Sequence, residues 1–190
     1  MVSYHIYTTD AIVLEAYPRG EAGLYFLLFT RELGVIGASA EGIRLMKSKL
    51  RYALQAYSRA GLGVVRGKEA WRIVSAMPRA ALSPETRRHT VRLLSLIARL
   101  SPGERSDRDL YDFLADALKR MPLVSPEHRF VLEILSGLNI CSAFGYGPSD
   151  EALARFSGFP VITHETLKLF SPFVRLSEAH IKYAITASHL

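Results

Sequence analysis

The residues best suited to chemistry in this sequence are lysines and arginines that fall close together. Residues 41–72 hold eight basic and two acidic side chains, so this one segment accounts for the whole net charge of +6. Four of these cations lie within eight residues: Arg44, Lys47, Lys49 and Arg51. Charged side chains this close together are hard to bury and must face water or an anion. The segment therefore predicts either a surface that attracts a polyanion or a solvated basic face without a ligand.

Aromatic residues interleave with these cations. Tyr52, Tyr57 and Trp71 all lie within the basic segment. Proteins hold single-stranded nucleic acids with cations along the phosphates and with flat rings beneath the bases. Tyr52 and Trp71 are therefore candidates for base stacking. The alternative for Tyr57 and Trp71 is burial in the folded core.

Motifs that would support catalysis are incomplete. Residues 61–68 resemble a phosphate-binding loop, but Leu62 stands where the spacing needs glycine and Glu69 follows Lys68 where Ser or Thr is needed. His128 and His164 have no further ligand three or four residues away, which favours solvated side chains. Cys141 is the only cysteine and has no basic neighbour that would activate it. We therefore predict no catalytic residue, no metal, no cofactor and no enzymatic activity.

The basic segment lies in a part of the chain whose pattern is typical of β-strands. Apolar and β-branched runs at residues 9–17, 24–29, 35–40 and 70–74 are separated by turn signals, with an irregular strand before residue 65. Residues 24–29 are apolar at every position, which predicts a strand covered on both faces. Short, curved strands over about 75 residues suit a small closed barrel, and the oligonucleotide/oligosaccharide-binding (OB) fold is one candidate.

The pattern changes to helical near residues 78–83. Ser83-Pro84-Glu85, the polar run at residues 106–109 and Ser125-Pro126-Glu127 are helix starts, each followed by apolar residues at helical spacing. A short helix at residues 149–156, a loop or one-turn helix between residues 159 and 172, and a terminal helix from Ser177 to Ser188 complete this half. The predicted class is α+β, with a barrel domain at residues 1–79 and an all-α domain at residues 80–190.

Targeting and membrane signals are missing from the sequence. The first residues show no basic stretch followed by an apolar one, which predicts no secretory signal. The longest apolar run spans residues 24–29, far below the roughly 18 residues needed to cross a bilayer. We therefore expect a cytoplasmic protein without a membrane partner.

Four short motifs occur in the order and approximate spacing of a known family. They are TDAIVL at residues 9–14, GEA at 20–22, LFTRELG at 28–34 and GIRLMKSKL at 42–50. On these motifs, residues 5–77 resemble the N-terminal domain of the RecO family of bacterial recombination mediators. Over residues 80–190 the resemblance is looser and rests on the helical pattern and on FGYGP at 144–148, where the family has a Gly-Tyr element.

The resemblance implies an OB-fold barrel followed by a helical domain. It also implies a protein that binds single- and double-stranded DNA, anneals complementary strands and helps load the recombinase in DNA repair. The implied partners are RecR and the acidic, hydrophobic C-terminal tail of single-strand-binding protein. The motif match assigns DNA contact to Arg44, Lys47 and Lys49. Charge and proximity in sequence add four more candidates: Arg51, Arg66, Lys68 and Arg72.

The chain departs from the family pattern at the Gly-Tyr turn. Many members carry a zinc element with four cysteines after this turn, whereas this chain has Cys141 alone, before it. We expect no zinc and a compact loop or helix over residues 149–176.

Two other functions share the same sequence features. An RNA-binding OB-fold protein would have the same basic and aromatic footprint. A protein-interaction adaptor would use the basic segment to dock an acidic peptide.

Overall fold

The computed structural model describes residues 5–67, 70–81 and 83–188. The chain forms two compact units. The first runs to residue 82 and includes residues 103–106, and the second comprises residues 83–102 and the chain from residue 107 onward. Within the described residues, no helix combines the length and the apolar character needed to cross a membrane.

The first unit is a closed barrel of five strands. These are β1 (Ile6–Arg19), β2 (Gly23–Thr30), β3 (Gly34–Ala40), β4 (Arg59–Arg66) and β5 (Trp71–Ala80), with the short helix α1 (Leu50–Ala53) between β3 and β4. The strand order around the barrel is β1-β2-β3-β5-β4. Only β3 and β5 pair in parallel, and the other pairs are antiparallel. This is an OB-like barrel, which confirms the fold predicted for this half of the chain.

Alternating side chains fill the interior of the barrel. Phe26 and Leu28 on β2 point inward with Ile36 on β3 and Leu62 on β4, and all are almost fully buried. Closure of a small barrel leaves little room, and several inward positions are accordingly alanine. Of the outward residues of β2, Tyr25 and Leu27 are half-buried and Phe29 is fully buried, so the expected covering of both faces is found only at the end of the strand.

Two strands are longer than their sequence patterns predict. β1 extends from Ile6 to Arg19 and bends at a register shift between Val13 and Glu15. β5 continues through Pro78 to Ala80, and its register against β4 shifts between Arg59 and Ala60, beside that proline. A bulge tolerates proline because the ladder is already interrupted there.

The second unit is helical. It contains α2 (Arg87–Leu100), α3 (Arg108–Arg120), α4 (Pro126–Ala143), α5 (Glu151–Ala154), α6 (His164–Phe170) and α7 (Val174–Ala187), with 3₁₀ turns at Pro84–Thr86 and Ser171–Phe173. The helix α4 is buried from residue 131 to 141 and packs against α2, α3, α6 and α7. The predicted helical half is confirmed.

Two details of the helical unit differ from the sequence expectation. Residues 164–170 form a two-turn helix, where a loop or a single turn was expected. The last helix begins at Val174, and Ser177, its expected first residue, is fully buried within it. The 3₁₀ turn that leads into α7 places its start earlier than the Ser-Glu signal suggested.

A short connection between α2 and α3 packs on the barrel. We call residues 103–106 the strap. The Val35 amide donates to the Gly103 carbonyl at 3.0 Å, and the Ser106 hydroxyl donates to the Arg31 carbonyl at 3.2 Å. Gly34 has φ +75°, and a Cβ there would lie 2.3 Å from the Arg105 carbonyl oxygen. Glycine at position 34 therefore allows both the backbone conformation and the close approach of the strap.

Candidate nucleic-acid interface

Three predicted DNA-binding cations lie on the loop between β3 and α1. Arg44, Lys47 and Lys49 are all exposed. The Arg44 amide donates to the Ala22 carbonyl at 3.0 Å, which holds this loop against the β1–β2 turn. None of the three forms an ion pair with a described acidic residue. Their charge is therefore available to an anion.

The helix α1 continues this basic surface. The Arg51 guanidinium lies 5.2 Å from the centre of the Tyr52 ring, and its Nη2 donates to the Tyr52 hydroxyl at 3.2 Å. Arg51 and Arg44 line the same cleft of about 380 Å³, which also contacts Leu24 at the start of β2. Four of the predicted cations, Arg44, Lys47, Lys49 and Arg51, therefore gather at the end of the barrel that carries α1.

Arg72 joins an outward-facing row that crosses four strands. It pairs with Ser39 on β3, Ser39 pairs with Tyr25 on β2, and Tyr25 pairs with Tyr17 on β1. At about 4.8 Å between neighbouring strands, the row is roughly 14 Å long. Because Tyr25 and Ser39 lie near the β2 and β3 ends that meet the β1–β2 turn, the row is on the same side of the barrel as that turn. This β2–β3 surface is the one with which OB folds bind oligonucleotides.

The structure adds residues to the interface that the sequence analysis did not identify. The Tyr25 ring lies over Gly37, where an added Cβ would lie 2.6 Å from its Cζ. The Arg19 guanidinium is 6.0 Å from the centre of the same ring. Tyr17 donates a hydrogen bond to Glu15, and this bond raises the pKa of the Tyr17 phenol. Residues 24–29 are apolar at every position, so no alternation in the sequence marks Tyr25 as outward-facing, and only the fold shows that Leu24, Phe26 and Leu28 face inward.

Arg66 and Trp71 lie in a different setting, beside the strap. Arg66 Nη1 donates to both Glu104 carboxylate oxygens at 2.5 and 2.7 Å, and its guanidinium lies 4.9 Å from the Trp71 ring. The Trp71 indole N–H also donates to Glu104, at 3.1 Å. Trp71 is 5% exposed and packs in the barrel core, so its burial removes it from the candidates for base stacking. Tyr52, at 68% exposed, remains one.

The predicted cations thus do not all share one surface. Arg44, Lys47, Lys49 and Arg51 lie on α1 or on the loop before it, whereas Arg72 lies at the start of β5, in the row with Ser39 and Tyr25. Arg66 is held by an acidic partner at the end of β4. Lys68 lies outside the described residues.

The cysteine, the histidines and two of the glycines considered above as catalytic candidates lie within helices and strands. Cys141 is fully buried in α4, and this burial raises the pKa of its thiol to about 12. The His128 and His164 rings are in edge contact with centroids 5.0 Å apart. In the described part of the chain, no three or more His, Cys, Asp or Glu side chains are grouped as a metal site would require. The glycines at 61 and 63 lie within strand β4 and not in a phosphate loop.

The fold and the surface together define a class of protein. It is an OB-like barrel with unpaired cations at one end, followed by a helical unit. A family model described as "Recombination protein O N terminal" matches residues 2–78, which span the barrel.

Curated relatives extend the match beyond the barrel. A DNA repair protein RecO of Heliobacterium modesticaldum is 32% identical over 148 residues, which cover 75% of this chain and 53% of that protein. A DNA repair protein RecO of Pelotomaculum thermopropionicum is 28% identical over 158 residues, which cover 80% of this chain and 60% of that protein. The chain belongs to the RecO family. It spans between half and three fifths of the length of these relatives.

Proposed function

We propose that this chain is a DNA-binding recombination mediator in DNA repair. In this proposal, residues 1–79 bind single- and double-stranded DNA, promote annealing of complementary strands, and act with RecR and single-strand-binding protein in recombinase loading. The observation that carries the proposal is the group of exposed cations without acidic partners among the described residues, at Arg44, Lys47 and Lys49. The function would be performed in the cytoplasm, which holds the bacterial chromosome.

Annealing follows from the electrostatics of such a surface. Cations that contact phosphates release counterions and reduce the repulsion between two strands. Side chains that contact only the backbone leave the base edges free to pair. The row from Arg72 to Tyr25 would extend the contact from the loop across the β2–β3 surface. No step of this mechanism needs a catalytic residue.

The salt dependence of binding tests the proposal. For single strands, the slope of log K against log salt is about −0.7 for each phosphate contact. Replacing Arg44, Lys47 and Lys49 with glutamine is therefore expected to make this slope shallower by about 2. The annealing rate is expected to fall by the same factor as the affinity for the strand. The measurement is fluorescence anisotropy with a labelled oligonucleotide over a range of salt concentrations.

A matched variant keeps the net charge equal. Replacing the exposed Lys119, Lys168 and Arg175 of the helical unit with glutamine removes the same charge from a different surface. This control is expected to keep the wild-type slope. Equal losses in both variants would show that net charge, and not the barrel surface, controls binding, and a wild-type slope near zero would refute the electrostatic mechanism.

The helical unit offers a surface for the acidic tail of single-strand-binding protein. A groove of about 430 Å³ between α2, α4 and α7 has Ile134 and Ile181 in its lining, together with the ion pairs Arg92–Glu133 and Lys182–Glu178. The apolar lining suits the hydrophobic part of the tail, and its acidic part would have to replace a glutamate as the partner of Arg92 or Lys182. Replacing Ile181 with glutamate is expected to abolish binding of a tail peptide while DNA binding is retained. Unchanged peptide binding would exclude this groove.

A further inference from the structure

A second cavity lies beside α1, on the barrel. It has a volume of about 210 Å³ and is lined by Tyr52, Gln55, Ser58, Arg59, Pro78 and Arg79, together with small alanines. A space of this size accommodates one planar ring system. The cavity is therefore a candidate site for a small flat group.

The lining combines an aromatic ring, cations and an amide. Tyr52 is 68% exposed, and no other ring among the described residues packs on it. Arg79 is half exposed and pairs with Asp10 at 3.2 Å. Gln55 uses its Nε2 to donate to the Arg51 carbonyl at 2.5 Å, so its side-chain oxygen is left as an acceptor. Ring, cation and amide are the groups that recognise a nucleobase with its phosphate.

The position of the cavity relates it to the basic surface. Arg51 and Tyr52 are adjacent on α1, and Arg51 lines the neighbouring cleft with Arg44. A strand whose phosphates contacted Arg44 and Arg51 would have its next base close to Tyr52, because the Arg51 guanidinium lies 5.2 Å from the Tyr52 ring. In a duplex each base is already stacked and paired, and removing it from the stack costs a few kcal/mol.

We propose that this cavity binds an unpaired nucleobase of a single-stranded nucleic acid, which stacks on Tyr52. The inference rests on the proposed function, because it assumes that the adjacent cations hold the backbone. It adds a site that distinguishes single strands from duplexes. An acidic peptide is disfavoured because the apolar lining is limited to alanines and Pro78.

The test compares normal and abasic oligonucleotides of the same length. Stacking contributes ~1–3 kcal/mol per base, so Tyr52→Ala is expected to weaken binding of an oligothymidylate by roughly 5- to 150-fold. Tyr52→Phe keeps the ring and is expected to bind like wild type. Neither variant is expected to change affinity for the abasic strand. Because Tyr52 is exposed, thermal melting of Tyr52→Ala should match that of wild type.

Tyr183→Ala is the matched control, since Tyr183 is also 68% exposed but lies on α7. Equal affinities of the Tyr52→Ala and Tyr183→Ala proteins for the oligothymidylate would overturn the inference. Equal weakening of normal and abasic strands by Tyr52→Ala would also overturn it, because the ring would then act only by positioning Arg51. If Tyr52→Ala weakened binding of an acidic peptide and left binding of the oligothymidylate unchanged, the cavity would be assigned to a protein partner.

The two proposals fail in different ways. If wild type binds both strands with steep salt dependence but Tyr52→Ala changes nothing, only the base site is wrong. If wild type binds neither strand, the proposed function itself is wrong.

Discussion

Replacing Gly34 with alanine tests how the strap is held on the barrel. Gly34 has φ +75°, and its missing Cβ leaves room for the Arg105 backbone, which would otherwise be 2.3–2.6 Å away. Gly20 provides a control, because its φ is +63° and nothing lies within 4 Å of an added Cβ. The two substitutions share the same backbone strain, and only Gly34→Ala forces the strap to move.

The expected cost follows from the contacts of each site. Left-handed backbone at a residue other than glycine costs about 1–2 kcal/mol, partly offset by a less flexible unfolded chain, so Gly20→Ala should cost about 1 kcal/mol. Gly34→Ala should lose in addition the Val35–Gly103 hydrogen bond and the Glu104 partner of the buried Trp71 indole. At about 1 kcal/mol for the first and 1–3 kcal/mol for the second, the additional cost is about 3 kcal/mol.

Trp71 is the only tryptophan in the sequence, so its fluorescence reports on the barrel unit. Urea titrations followed by this signal should give a lower free energy of unfolding for Gly34→Ala than for Gly20→Ala. Native-state emission of Gly34→Ala should also shift to the red, because displacement of the strap admits water to the indole N–H. Equal stabilities and unchanged emission in the two variants would refute the assigned role of the strap.

Three further substitutions test the helical unit. Burial raises the pKa of the Cys141 thiol from 9.0 to about 12, so the folded protein holds this proton more tightly than the unfolded chain does. Between pH 9 and 12, the free energy of unfolding relative to Cys141→Ala should therefore fall by about 1.4 kcal/mol per pH unit in urea titrations. Asp107→Ala removes the side chain that caps α3 by accepting a hydrogen bond from the Leu110 amide at 2.9 Å. Its free energy of unfolding, followed by thermal melting, should fall by about 1 kcal/mol, and a smaller loss than for Asp109→Ala would contradict this role. Glu133→Ala leaves the mostly buried His89 without its partner at 2.5 Å and should lower the free energy of unfolding by about 3 kcal/mol. Glu133→Gln should lower it less, and equal losses in the two variants would exclude the hydrogen bond as the cause.

Local signals in the sequence were sufficient for the elements of the fold. Apolar and β-branched runs bounded by turn residues located the barrel strands, and Ser-Pro-Glu starts located helices such as α4, which begins at Pro126. The Asp107 cap and the apolar stripe of α3 are likewise short-range features that depend only on neighbouring residues. The end of β5 was missed because proline usually ends a strand, and the bulge at Arg79 of β5, which accommodates Pro78, is not visible in the sequence.

The candidate site could be predicted only in part. The cluster of Arg44, Lys47 and Lys49 is visible in the sequence as charge within a short segment, and the assignment of DNA contact to these residues came from the family motifs and stays a prediction. The burial of Trp71 could not be predicted, because an aromatic residue at the start of a strand suits a core position and a surface position equally. The ring packs in the barrel core, and its N–H donates to Glu104, which lies 33 residues away on the strap.

The sequence by itself determined where the positive charge lies along the chain and which half is strand or helix, because both depend on residue type and local spacing. Only the tertiary structure decided which cations share a surface. Barrel closure pairs β3 with β5 and so brings Arg72 beside Ser39 and the Tyr25 row, whereas Arg66, six residues earlier, is turned to Glu104. Strand register and closure are set by packing of the whole core, and a one-residue shift in register would exchange the inner and outer side chains.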